Sequence, residues 1–153
     1  MKKIAEDGFN TVKFWVQWRW SNPKKGVYYW DDLDELMDLA AENGLKVVLN
    51  FILDVVPAWV VKKYPDCLLV TNVGEKLGPT PIECRQIGGT PGVCFHNKKT
   101  NKIRKEFVRR AVEHFKDKKA LYSWDVWNEP ELTVSLKRRP NMDQLVCYCP
   151  NCI

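Results

Sequence analysis

The chain has 153 residues, 45% hydrophobic and 28% charged, with a formal charge of +5. That is enough for one buried core of ordinary soluble composition, and it contains no apolar run long enough to span a bilayer. The charge is too mild to imply nucleic acid: the basic clusters Lys98-Lys99 with Lys102, Arg104 and Lys105, and Lys137-Arg138-Arg139, come without a recognition motif and read as solvated faces.

Met1 to Asp7 has no apolar signal-peptide core and reads as the last turns of a helix stopped by Gly8. Thr11 to Trp18, rich in β-branched and aromatic residues, reads as a strand. Ser21-Asn22-Pro23-Lys24-Lys25-Gly26 is a turn-rich loop. A helix is expected from Asp32 to Asn43, with Leu33, Leu36, Met37 and Ala40 on one face, Asp31 or Asp32 as cap, and Gly44 as stop. Lys46 to Leu53 is a continuous apolar run, the mark of a strand buried on both faces. A long connection follows from Asp54 to Asn97, with a helical patch near Trp59 to Lys63 and otherwise little regular pattern; connections of this length are usually functional or disordered. A helix over Asn101 to Lys116 turns Ile103, Phe107, Ala111 and Phe115 inward, and Leu121 to Trp127 is the last strand. Strict alternation of helix and buried strand predicts a parallel sheet in an α/β fold. Three such strands are too few for a closed barrel of eight, so the chain reads as part of a larger one.

The last strand runs into Asn128-Glu129-Pro130, where Pro130 stops regular structure. In barrels of alternating strands and helices, the carboxyl ends of the strands hold the catalytic side chains. A Glu there that simply reaches solvent is the plain alternative.

Several stretches together resemble the amino-terminal barrel of family 42 glycoside hydrolases, which are β-galactosidases. They are Trp20-Ser21-Asn22-Pro23-Lys24-Lys25-Gly26-Val27-Tyr28, Leu33-Asp34, Gly44-Leu45-Lys46-Val47-Val48-Leu49, Pro57-Ala58-Trp59, Tyr64-Pro65 and Asn128-Glu129. The resemblance spans nearly the whole chain in the family's order. It implies a partial (β/α)8 TIM barrel over residues 1–153, covering roughly strands 2 to 4 and lacking the first strand and the fifth to eighth. It implies a retaining glycosidase acting on terminal β-galactosides or related β-linked oligosaccharides. Glu129 would be the general acid and base, and Asn128 would bond the hydroxyl beside the anomeric carbon. The nucleophile, on the family's seventh strand, would lie outside this chain, so the chain alone is expected to be inactive. Asp54, Asp125 and Glu131 do not match it and read as strand or loop acids. Two departures bear on sugar specificity: Asn22 stands where the family usually has Glu, and Gly88-Gly89-Thr90-Pro91-Gly92-Val93 replaces an Arg-containing stretch. The alternative from another class is a non-catalytic, zinc-stapled carbohydrate-binding module, or an inactive truncated barrel.

Cys147, Cys149 and Cys152 form Cys-x-Cys-x-x-Cys, a spacing that lets thiolates share one cation and suits disulfides among themselves poorly. A fourth ligand must come from elsewhere, and the family resemblance points to Cys94 and to a structural zinc. Free thiols and disulfides are the alternatives. Cys67 and Cys84 have no assigned partner and read as plain thiols, His96 as a hydrogen-bonding loop residue able to replace a thiolate, and His114 as structural. Thiols kept reduced around zinc favour the cytoplasm. Trp18, Trp20, Trp59 and Trp127 fall where a sugar platform would lie, whereas Trp15, Trp30 and Trp124 fall where core packing is expected. The expected partner is an oligosaccharide or β-galactoside, with no nucleic acid and no membrane; a homo-oligomeric full-length protein is compatible with the sequence.

Overall fold

The computed structural model describes residues 1–53, 55–77, 93–127 and 147–153. Its elements run α1 (Lys2–Glu6), β1 (Thr11–Gln17), α2 (Trp18–Ser21), α3 (Asp31–Glu42), β2 (Lys46–Ile52), α4 (Ala58–Lys63), a 3-10 turn (Pro65–Cys67), β3 (Leu69–Val70), β4 (Lys76–Leu77), α5 (Lys98–Phe115) and β5 (Leu121–Asp125). Among the described residues, no helix is long and apolar enough to cross a membrane.

Strands β1, β2 and β5 form a parallel sheet in that order, so each strand lies beside its successor in the helix–strand alternation. β2 is central because its side chains can be buried on both faces: Val47, Leu49, Phe51 and Ile52 are all buried. β1 pairs with it in unbroken register from Thr11↔Lys46 to Gln17↔Ile52. The β2–β5 register shifts by one residue between Val47↔Leu121 and Val48↔Ser123, leaving Tyr122 as the extra residue of a bulge. Lys13 reaches across the central strand to Asp125, with Nζ 2.6 Å from Oδ2.

Two helices cover the sheet with their apolar stripes. α3 buries Leu33, Met37 and Ala40; α5 buries Phe107, Ala111 and Phe115. Phe107 is the hub: its ring centroid lies 6.2 Å from Trp18, 5.7 Å from Trp30 and 6.5 Å from Phe51. Asp31, Asp32 and Asp34 occupy the first turn of α3, where the helix dipole favours negative charge, but none is its N-cap, contrary to the expected cap at Asp31 or Asp32. Asn97 does cap α5, its side chain accepting from the Thr100 N–H at 3.1 Å. Gly8 (φ 90°) and Gly44 (φ 70°) follow α1 and α3 in the left-handed conformation that only glycine adopts cheaply.

Four further expectations need correction. The first strand ends at Gln17, because Trp18 turns inward as the start of α2 and is fully buried against Phe107, making it core rather than a sugar platform. Trp15, expected in the core, is 39% exposed on β1, an edge strand of the described sheet. Arg104 is no solvated cation: it is 4% exposed, donating to Asn101 Oδ1 at 2.7 Å and to the Val93 carbonyl at 3.1 Å. The long connection contains the antiparallel β3–β4 pair, whose two-residue strands are too short to leave a periodic signal.

Candidate functional site

The carboxyl ends of the three parallel strands lead into the segments that carry the candidate chemistry. Asn128 and Glu129, with Asp54, Cys84 and Glu131, lie outside the described residues. The strand leading to Glu129 is firmly held at its end. Asn50, fully buried on β2, donates from Nδ2 to the Asp125 carbonyl at 3.1 Å. The Asp125 carboxylate takes Lys13 on one oxygen and the Trp127 N–H, at 3.3 Å, on the other. The hydrogen bond from Lys13 holds the Asp125 carboxyl below its ordinary range. An acid satisfied in this way is a strand-end brace, as expected from its mismatch with a nucleophile.

Asn22, where the resemblance leads one to expect Glu, is 1% exposed and donates to the carbonyls of Lys24 at 3.0 Å and Val27 at 2.7 Å. An amide can close this loop; a carboxylate has no N–H to give. Trp59 is fixed to the same loop, its indole N–H donating to the Asn22 carbonyl at 3.0 Å. Trp20 is 60% exposed, with its N–H donating to Asp32 at 2.7 Å and its ring 6.4 Å from that of Tyr29. Trp30 is core as expected; Trp124 is half-buried and stacks on Phe51 at 5.4 Å.

Four cysteines converge near this end. The Sγ atoms of Cys94, Cys147, Cys149 and Cys152 all lie within 4.8 Å of one another. Cys94 and Cys152 are 3.3 Å apart and Cys149 and Cys152 are 3.8 Å apart. These separations are too long for a disulfide. A tetrahedral ion with sulfurs at about 2.3 Å requires roughly 3.8 Å between them. The chain brings the ligands together through backbone pairing. The Tyr148 N–H donates to the Val70 carbonyl at 2.8 Å, laying the terminal segment against β3. The Cys94 N–H donates to the Cys67 carbonyl at 2.7 Å, fixing the other loop beside it.

The crowding of the four sulfurs shapes their protonation. Burial pushes the Cys94 and Cys152 thiols up. Burial also opposes ionisation of Cys149, but hydrogen bonds from Asn151 and from neighbouring thiols outweigh it and bring Cys149 down to about 7. Four sulfurs this close cannot all be thiolates without a compensating positive charge. Cys67 stands apart: burial first, then Asp66, pushes it up to about 11, the profile of an inert thiol. His96 is not among the four; its backbone N–H approaches Cys94 Sγ at 3.3 Å and its Nδ1 lies 3.2 Å from Cys152 Sγ. His114 bonds Asp34 at 2.8 Å on the helix side, a structural role.

Sequence reasoning missed the stack at this rim. The Phe95 ring centroid lies 3.7 Å from the Arg104 guanidinium and 4.5 Å from the Trp127 ring. Arg104 looked like one more lysine-like charge in a basic run, and only its position on the inward face of α5 could have marked it.

Known proteins of similar sequence and shape place the molecule. It is 30% identical over 153 residues to the beta-galactosidase LacZ of Heyndrickxia coagulans and 27% identical over 152 residues to a beta-galactosidase of Thermus thermophilus. Each match covers 99% of this chain, which spans only 20% and 21% of those relatives' lengths. Among solved structures, the beta-galactosidase of the psychrophilic Marinomonas ef1 superimposes with a TM-score of 0.74 at 22% identity, over 97% of this chain and 20% of that one. The beta-galactosidase of Bacillus circulans sp. alkalophilus gives 0.73 at 25% identity, over 97% and 19%. The parallel sheet with its covering helices is thus a fragment of a barrel. Residues 1–152 match the family model described as beta-galactosidase, and the chain belongs to glycoside hydrolase family 42.

Proposed function

We propose that this chain supplies the acid/base side of a retaining glycosidase that cleaves terminal β-galactosides, with Glu129 as the proton donor and acceptor. The observation that carries the reading is the family match over residues 1–152, with Asn128-Glu129-Pro130 following the last strand of a parallel sheet. β1, β2 and β5 then correspond to barrel strands 2, 3 and 4. Glu129 protonates the glycosidic oxygen as the bond breaks, and later takes a proton from the water that releases the sugar. Asn128 donates to the sugar hydroxyl next to the reacting carbon, a bond that tightens as positive charge develops there. The nucleophile belongs to a part of the barrel outside residues 1–153, so hydrolysis needs that part as well.

Cys94, Cys147, Cys149 and Cys152 fit a structural zinc, supported by their mutual distances and by a ligand set made only of thiolates. With four protein ligands no position stays open for water, so such an ion fixes loops and takes no part in hydrolysis. The expected metal content is one zinc per chain, lost in Cys149→Ser.

The test is Glu129→Gln in a protein carrying the complete barrel. Turnover of an alkyl β-galactoside should fall by about 10²–10⁴-fold, the usual worth of a general acid–base group. A dinitrophenyl galactoside, whose leaving group needs no proton, should still form the glycosyl-enzyme, and added azide should restore its turnover. Unchanged activity of Glu129→Gln on the alkyl substrate would remove Glu129 from the role.

A further inference from the structure

We propose that Phe95 is a positioning residue that couples the four-cysteine cluster to the strand end carrying the acid/base. The proposal rests on reading the cluster as a metal site and Glu129 as the catalytic acid. Phe95 follows Cys94 directly in sequence, and Asn128 and Glu129 follow Trp127 directly. The Phe95 ring is the piece between them, touching the guanidinium of Arg104 at 3.7 Å and the indole of Trp127 at 4.5 Å, with the latter rings inclined at 46°.

Each neighbour of Phe95 is itself anchored. Arg104 is buried, held by the Val93 carbonyl and Asn101 Oδ1, so its guanidinium is a fixed plate from α5. Trp127 is tied back to β5 through its N–H on Asp125. On the cysteine side, the His96 N–H folds the backbone around Cys94 Sγ at 3.3 Å, and His96 Nδ1 approaches Cys152 Sγ at 3.2 Å. Phe95 is therefore flanked by Cys94, a member of the cluster, and by His96, which meets two of its sulfurs, while its own ring leans on Trp127. It is 39% exposed and stands outside the buried core cluster, so bulk burial does not account for its placement. A cation over the ring and a second aromatic ring tilted against it make a directional arrangement. Loss of the ion from the cluster would free the backbone on both sides of Phe95 and with it the surface on which Trp127 rests.

Metal loading and the response of Trp127 can be read separately. Cobalt(II) binding to the whole protein is followed by thiolate-to-cobalt absorption. The response of Trp127 is followed as the zinc-induced change in emission, taken as the difference between parent and Trp127→Phe. Cobalt should load the parent, Phe95→Leu and Phe95→Tyr alike. Zinc should change Trp127 emission in the parent and in Phe95→Tyr, and leave it nearly unchanged in Phe95→Leu. In a protein carrying the complete barrel, Phe95→Leu should lower kcat by roughly threefold to tenfold, the range implied by losing a stack of this kind, with KM little altered. Phe95→Tyr should restore kcat. Failure of cobalt to load the parent overturns the metal reading and the coupling with it. Normal loading with a silent Trp127 in the parent, or an equal emission change in Phe95→Leu, overturns the coupling and leaves the metal reading standing. If Glu129→Gln is fully active, the acid/base reading fails while the emission experiment still decides whether the strand end is coupled.

Discussion

The sheet with its two helices and the segment bearing the terminal cysteines are held in contrasting ways. In the first, Val47, Leu49, Phe51, Phe107, Phe115 and Trp18 are all buried, and stability comes from apolar area spread over many residues. In the second, residues 147–153 include a single buried residue, Cys149, and meet the rest through the backbone bond from Tyr148 to Val70 and through sulfur contacts. The contrast teaches that placing the end of the chain does not require a core of its own. Sulfur contacts and backbone pairing hold these residues where the sheet relies on buried carbon.

The sharpest way to break this contrast is to cut a hole in the first region. Phe107→Ala removes a fully buried ring that meets Trp18, Trp30 and Phe51, and should cost about 3–5 kcal/mol in urea unfolding. A loss below about 1 kcal/mol would mean that burial is not what holds the sheet and helices together. The second region should respond to chemistry instead. Cys149→Ser should weaken metal binding by more than about 100-fold, since outer-sphere partners alone are worth 10–100-fold. Hydrogen exchange at Tyr148 should then accelerate while the amides of β2 stay protected; equal acceleration in both would merge the two regions into one.

Smaller effects sharpen the boundary. Asn97→Ala removes the cap at the start of α5, just after the Cys94 loop, and should cost about 1 kcal/mol by thermal unfolding. Asp34 tests electrostatics between the two covering helices. Burial acts to raise its carboxyl, but hydrogen bonds from Lys118 and His114 outweigh it and hold the group below the ordinary range. A carboxyl depressed in the folded state stabilises above its unfolded value, near 3.9, and loses that contribution as pH falls through the folded one. Asp34→Asn should therefore cost up to about 1 kcal/mol at pH 7, as expected of a partly exposed pair. The gap to the parent should close in acid, and a gap that widens there would reverse the assignment.

Much of the first region was legible before any coordinates. The apolar run of β2 admits few readings other than a doubly covered strand. The spacing of Phe107, Ala111 and Phe115 can only be an inward helical face. What misled was local: Trp18 continues the alternation of β1 and so looks like strand, yet a large ring next to a turn buries better by bending inward. Arg104 carries the same formal charge as its lysine neighbours, and charge alone does not reveal which face it occupies. On the site side, the three terminal cysteines were legible from spacing. Cys94 came from the family resemblance, and the structure gathers its sulfur with theirs. Phe95 gave no signal, because a stack depends on a distant residue that sequence order does not pair with it.

The bulge at Tyr122 has a consequence for how this strand tolerates change. Beyond it, Ser123, Trp124 and Asp125 match Val48, Leu49 and Asn50, one step out of phase with the pairing before it. The extra residue is taken up in the bulge, so the strand's last stretch keeps its parity with β2: Trp124 lies against Phe51 and Asp125 meets Lys13. A substitution at Tyr122 alters one exposed side chain and keeps that parity. Deleting the residue would make Leu121↔Val47 and Ser123↔Val48 consecutive pairs and leave Trp124 and Asp125 on the same faces, so this strand should tolerate a loss of length here as well as a change of chemistry.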